Sequence, residues 1–68
     1  MSQTAEYTVS GMTCGHCVAS VTEEVQEIAG VSAVEVVLET GALTVTSDQP
    51  VDDAAVKAAV EEAGYQLA

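Results

Sequence analysis

The spacing of the apolar residues changes period repeatedly along this chain, and that rhythm restricts the fold more than any single residue does. Tyr7 and Val9 alternate with Glu6, Thr8 and Ser10, the pattern of a half-buried strand that Gly11 ends. From Cys17 onward Val18, Val21, Val25 and Ile28 recur at helical spacing, with Glu23, Glu24 and Glu27 opposite them. This predicts a helix from about His16 to Ala29, stopped by Gly30. Alternation then returns. Val34, Val36 and Leu38 share one face and Glu35, Val37 and Glu39 the other. A Glu39-Thr40-Gly41 turn leads into Leu43 and Val45 facing inward and Thr44 and Thr46 facing out. After the Ser47-Asp48-Gln49-Pro50 loop, Asp52 or a neighbour can cap a second helix. That helix has the stripe Val56, Ala59, Val60 and Ala63 and closes at Gly64, leaving Tyr65-Gln66-Leu67 for a short last strand. Glu61 and Glu62 fall in its last turn, where the helix dipole disfavours anions, and the sequence offers no reason for that placement.

The order β-α-β-β-α-β predicts an α+β, ferredoxin-like sandwich: a four-stranded antiparallel sheet with two helices on one face and water on the other. No repeat, linker or low-complexity segment interrupts it, so residues 1–68 are expected to form one domain. A chain of this size buries only about 60% of the surface its unfolded form exposes, which leaves no room for an enclosed substrate pocket of ordinary size. Its core has to be assembled from small pieces, because 12 Val and 11 Ala dominate the apolar set and Phe and Trp are missing.

Eleven acidic residues face one base, Lys57, for a formal charge of −10. Nothing here could neutralise phosphates, so nucleic acid is excluded as a partner, and anionic membrane surfaces are disfavoured for the same reason. Glu23, Glu24 and Glu27 read as a solvated face that could also dock a basic partner. No stretch approaches the roughly 20 apolar residues of a membrane span, and Met1 to Glu6 has no signal-peptide pattern, so the expectation is a cytoplasmic protein without membrane insertion.

The chemistry is concentrated in Cys14-Gly15-His16-Cys17. Two cysteines three apart do not make a disulfide framework. In a reducing compartment this spacing points to metal binding or redox work. Cys14 falls in the loop and Cys17 in the first helical turn, so the two could approach one ion from different sides. The thiolate is the ligand, and a helix N-terminus favours it, while the overall negative charge opposes it. A closed Zn²⁺ site needs four ligands, and there is no second cysteine pair. Cu(I) is soft, selects thiolates and accepts two of them. A site this exposed is open to attack by a second protein, which suits transfer better than storage.

Gly11-Met12-Thr13-Cys14-Gly15-His16-Cys17 resembles the G-M-x-C-x-x-C signature of the heavy-metal-associated domain family, and within it the bacterial copper chaperones. The segments Gly30 to Val34, Thr40-Gly41 and Glu62 to Tyr65 extend the resemblance over nearly the whole chain. It implies Cu(I) held by Cys14 and Cys17. It further implies delivery to the metal-binding domain of a copper-exporting P-type ATPase by ligand exchange through a shared-metal intermediate. It implies Met12 in the core supporting the loop and Tyr65 packed near the metal loop, residues 11–17. Copper shared between two copies could also give a metal-linked homodimer.

Other readings stand beside this one. The cysteines could be a thiol-disulfide redox pair, although the chain is too short for a thioredoxin fold and its one proline, Pro50, precedes a helix. His16 could be a third ligand, a residue that tunes affinity or association, or an exposed bystander. Met12 could be a thioether ligand, although core packing is its commoner role. The chain could be the N-terminal domain of a copper ATPase rather than a free chaperone, although Met1 and the immediate start of the fold favour the latter. Related domains carry Hg(II), Zn(II) or Cd(II). In every case the expected role is a carrier, not an enzyme, and the −10 charge predicts a receiving surface that is basic or less acidic than this one.

Overall fold

The computed structural model describes residues 2–12 and 15–68. Its elements are β1 (Gln3–Ser10), α1 (Gly15–Gln26), β2 (Val31–Val37), β3 (Ala42–Ser47), α2 (Asp53–Glu62) and β4 (Gln66–Leu67). The sheet order is β2-β3-β1-β4 with every neighbour antiparallel, the α+β sandwich the apolar rhythm predicts. Register follows the pleat. Tyr7 stands opposite Leu43, which stands opposite Val36, and Ala5, Val45 and Val34 form the next row. Glu6, Thr44 and Glu35 form the row between them on the open face.

The core lies between the sheet and the helices. Val21, Val25, Leu43, Val45, Val56 and Val60 are fully buried and Val9 nearly so. Burial of each such side chain contributes about 1.5–3 kcal/mol, so a core of valines suffices if it has few gaps. Ser47 is the one buried polar residue among those described, and its hydroxyl donates to the Gln49 carbonyl. Asp52 caps α2, its carboxylate accepting from the Ala54 amide at 2.9 Å.

Four local outcomes differ from the sequence reading. β1 begins at Gln3 rather than near Glu6, because its polar first half pairs with β3 from Ser47 onward. α1 ends at Gln26 rather than Ala29. Its exit tightens into three-residue bonds, Glu27 amide to Glu24 carbonyl at 3.3 Å and Ile28 to Val25 at 3.1 Å, while Ile28 still packs on the core. The buried stripe of α1 is Cys17, Val21 and Val25, an i, i+4, i+8 series, with Val18 only half-buried. Finally, Leu38 is not in the inward set. β2 stops at Val37, and the Gly41 amide reaches back to the Val37 carbonyl at 2.8 Å. The chain therefore turns through Leu38, which stays 39% exposed.

Since β1 and β2 both run antiparallel to β3, they point the same way, and α1 between them must run back. The end of β1, the start of α1, the β2–β3 turn and the exit of α2 therefore meet at one end of the molecule. Two contacts confirm the convergence. The Val9 amide donates to the Gly41 carbonyl at 2.8 Å, and a Cβ placed on Gly11 would lie 3.5 Å from Tyr65 Cδ1.

Candidate metal centre

The site is built where β1 hands the chain to α1. Cys14 and Thr13 lie outside the described residues, so the expectation for Cys14 rests on the sequence. Cys17 is the third residue of α1, in the turn whose backbone amides have no intrahelical acceptor. It is buried at 6% exposure, above Val21 and Val25 on the same stripe. A cysteine suits that place as a small, weakly polar side chain. One of the two expected ligands is thus also part of the apolar packing, a double role that the periodicity alone did not show.

His16, the residue before Cys17 in the first turn, is exposed. Met12 is half-buried and packs against the core cluster. Tyr65 is half-buried against the same cluster and close to Gly11. Its position follows from the end of α2. The Tyr65 amide donates to the Val60 carbonyl at 3.1 Å and the Gly64 amide to the Glu61 carbonyl at 3.0 Å, with Gly64 left-handed at φ 97°. This paired-bond termination turns the chain sharply and drops Tyr65 beside the β1–α1 connection. Glu61 and Glu62, exposed in the same turn, sit at this end too.

Among the described residues no three His, Cys, Asp or Glu side chains converge as metal ligands. Sequence reasoning did not find the support behind this end. Gly41, at φ 76°, carries no side chain because a Cβ there would lie 2.5 Å from the Val9 carbonyl oxygen. The Thr40-Gly41 dipeptide signals a turn, but nothing local shows that the turn clamps the strand leading into the metal loop.

A small sandwich whose sequence carries Cys-x-x-Cys between its first strand and first helix defines a class of metal-binding domain, and the comparisons agree. The heavy-metal-associated domain profile matches residues 6–66. The copper chaperone CopZ of Bacillus subtilis is 46% identical over 63 residues, covering 88% of each chain. The copper-transporting ATPase 1 of Rhizobium meliloti is 40% identical over 62 residues, which span 91% of this chain and 8% of that protein. The zinc/cadmium/lead-transporting P-type ATPase of Shigella sonnei is 42% identical over 59 residues, 87% of this chain and 8% of the ATPase. A solved CopZ metallochaperone superposes with a TM-score of 0.90 at 34% identity, covering 97% of this chain and all of that one. The chain belongs to the heavy-metal-associated domain family.

Proposed function

We propose that the protein is a cytosolic Cu(I) carrier. Cys14 and Cys17 hold the ion and pass it to the metal-binding domain of a copper-exporting P-type ATPase. The observation that carries this reading is the match to a copper chaperone over nearly the full length of both chains, 88% of each, in a chain that has the Cys14-Gly15-His16-Cys17 spacing. No helix among the described residues is long and apolar enough to cross a membrane.

Transfer is ligand exchange without redox change. An incoming thiolate adds to two-coordinate Cu(I), giving a three-coordinate shared intermediate, and one of the original thiolates leaves and takes up a proton from solvent. Cys17 is buried, so exchange is proposed to begin at Cys14, with Cys17 the last to let go. His16, exposed beside them, is assigned tuning of affinity or association, not a ligand role. Met12 and Tyr65 are assigned support of the loop. Two copies sharing one Cu(I) is the accompanying proposal for any copper-dependent association.

Titration of the reduced chain with Cu(I) against a competing chelator, followed by mass, tests the reading. One tight Cu(I) per chain is expected, lost in Cys14→Ser and in Cys17→Ser. Tight binding that survives both substitutions overturns it. A second reading, a domain of a P-type ATPase or a carrier of a divalent ion such as Zn(II) or Cd(II), is favoured by the 42% identity to the zinc/cadmium/lead ATPase. Preference for Zn(II) or Cd(II) over Cu(I) in the same titration would select it.

A further inference from the structure

Val37 and Leu38 are the exposed large apolar residues among those described, at 40% and 39%. They are consecutive, and they lie where the alternation predicted a buried Leu38. A scattered exposed valine needs no explanation. Val37 is the last residue of β2, on the water-facing side with Glu35, and Leu38 turns outward after it instead of returning to the core face, so two adjacent large apolar side chains stand exposed at one point. Such a break in the pattern tends to fall at a functional position. Their location is specific. Helix α1 packs on β2 and runs back along it, so the end of β2 and the start of α1 lie at the same end of the molecule, and Gly41 at the end of the β2–β3 turn accepts the Val9 amide at 2.8 Å. Glu39 adjoins the pair as an exposed carboxylate, while Lys57, the single base, is in the middle of α2, which packs toward β4 at the other edge of the sheet.

We propose that the β2–β3 turn, through Val37 and Leu38 with Glu39 at its rim, is a docking surface for the metal-receiving domain. That domain is expected to present an apolar patch bordered by lysine or arginine. The inference rests on the carrier reading and extends it to a surface away from the cysteine motif. An apolar centre with a charged rim is the ordinary anatomy of a transient interface. The charge decides the occupant. A second copy of this chain carries the same −10 and would set carboxylate against carboxylate, whereas a basic domain is attracted. The apolar pair would prolong the encounter while thiolates exchange, and Glu39 would speed its formation.

The double variant Val37→Thr/Leu38→Gln tests this, since both positions are exposed and β-branching is kept in the strand. The probe is the N-terminal metal-binding domain of the copper-transporting ATPase of the same organism. The variant is expected to match the wild type in thermal unfolding, in Cu(I) affinity by chelator competition and in copper loss to dithiothreitol. Its transfer rate to the domain is expected to fall roughly tenfold, from removal of two apolar contacts. Glu39→Gln is expected to slow transfer only at low salt. Equal transfer by wild type and double variant overturns this inference alone. A double variant whose copper-dependent self-association changes while transfer does not also overturns it. Failure of the wild type to transfer copper overturns the carrier reading and this surface with it.

Discussion

The two ends of the sandwich are held by different means. At the end away from the cysteine motif, loops are tied to one another by side chains. Gln49 Nε2 donates to the Ala29 carbonyl at 3.0 Å and the Asp52 carboxylate caps α2 at 2.9 Å, beside one backbone bond from the Asp48 amide to the Gly30 carbonyl at 2.9 Å. At the motif end the shorter ties are backbone, Val9 to Gly41, Gly41 to Val37 and Tyr65 to Val60, beside two longer side-chain bonds at 3.2 Å, Ser10 Oγ to the Gln66 carbonyl and the Ala42 amide to Thr40 Oγ1. Glycines make these approaches possible, and the surface above them stays exposed, carrying His16, Val37, Leu38 and three carboxylates. A clamp made of backbone leaves side chains available for a partner. It also concentrates sensitivity at the few residues that must lack a side chain, whereas a tie made by a side chain can be lost piecemeal.

Gly41→Ala is the most severe way to break this contrast. It imposes a left-handed φ of 76° on a residue with a Cβ and drives that Cβ to 2.5 Å from the Val9 oxygen. A loss of about 3 kcal/mol in urea unfolding is expected. Because Val9 leads into the metal loop, a weaker hold on Cu(I) is expected as well, read by chelator competition. Asp52→Ala at the other end removes one cap and should cost about 1 kcal/mol, with Cu(I) affinity unchanged. If both variants weaken copper binding in proportion to stability, the two ends are coupled and the contrast fails.

The architecture was legible in the sequence because its information is periodic. Changes from period two to helical spacing mark every element, and the paired positions Leu43 with Val36 and Val45 with Val34 follow from alternation once the hairpin is placed. What escaped lies at boundaries and across distance. Alternation does not say where a strand stops, so Leu38 was assigned to the core although the turn had already begun. Helical spacing ran on to Ala29 because Ile28 packs inward even from outside the helix. At the candidate site, the motif singles out Cys14 and Cys17 as the expected ligands. It could not show that Cys17 also completes a buried stripe, since a ligand and a small apolar residue look alike in the sequence. Glu61 and Glu62, unexplained as helix residues, prove to stand at the exit of α2, at the motif end of the molecule.

The same limit hid a contact between elements 46 residues apart, and it gives the mildest prediction. The Tyr7 hydroxyl donates to Asp53 Oδ1 at 2.6 Å, tying β1 to the first turn of α2 on the far-end side of the contrast. Partial burial, then this hydrogen bond and the nearby charges of Asp53 and Asp52, push the phenol from 10.0 up to about 12. The unfolded chain therefore gives up this proton first. The contribution to stability is whole below about pH 10 and disappears as the pH rises towards 12. In Tyr7→Phe the phenolate absorbance step near pH 12 should vanish, and stability should lose its dependence on pH across this window. At neutral pH the loss should be only about 0.5 kcal/mol, because the bond is at the surface. Copper affinity should stay at the wild-type value. A Tyr7→Phe variant that binds copper more weakly would show that the far end, side-chain ties included, also positions the metal loop.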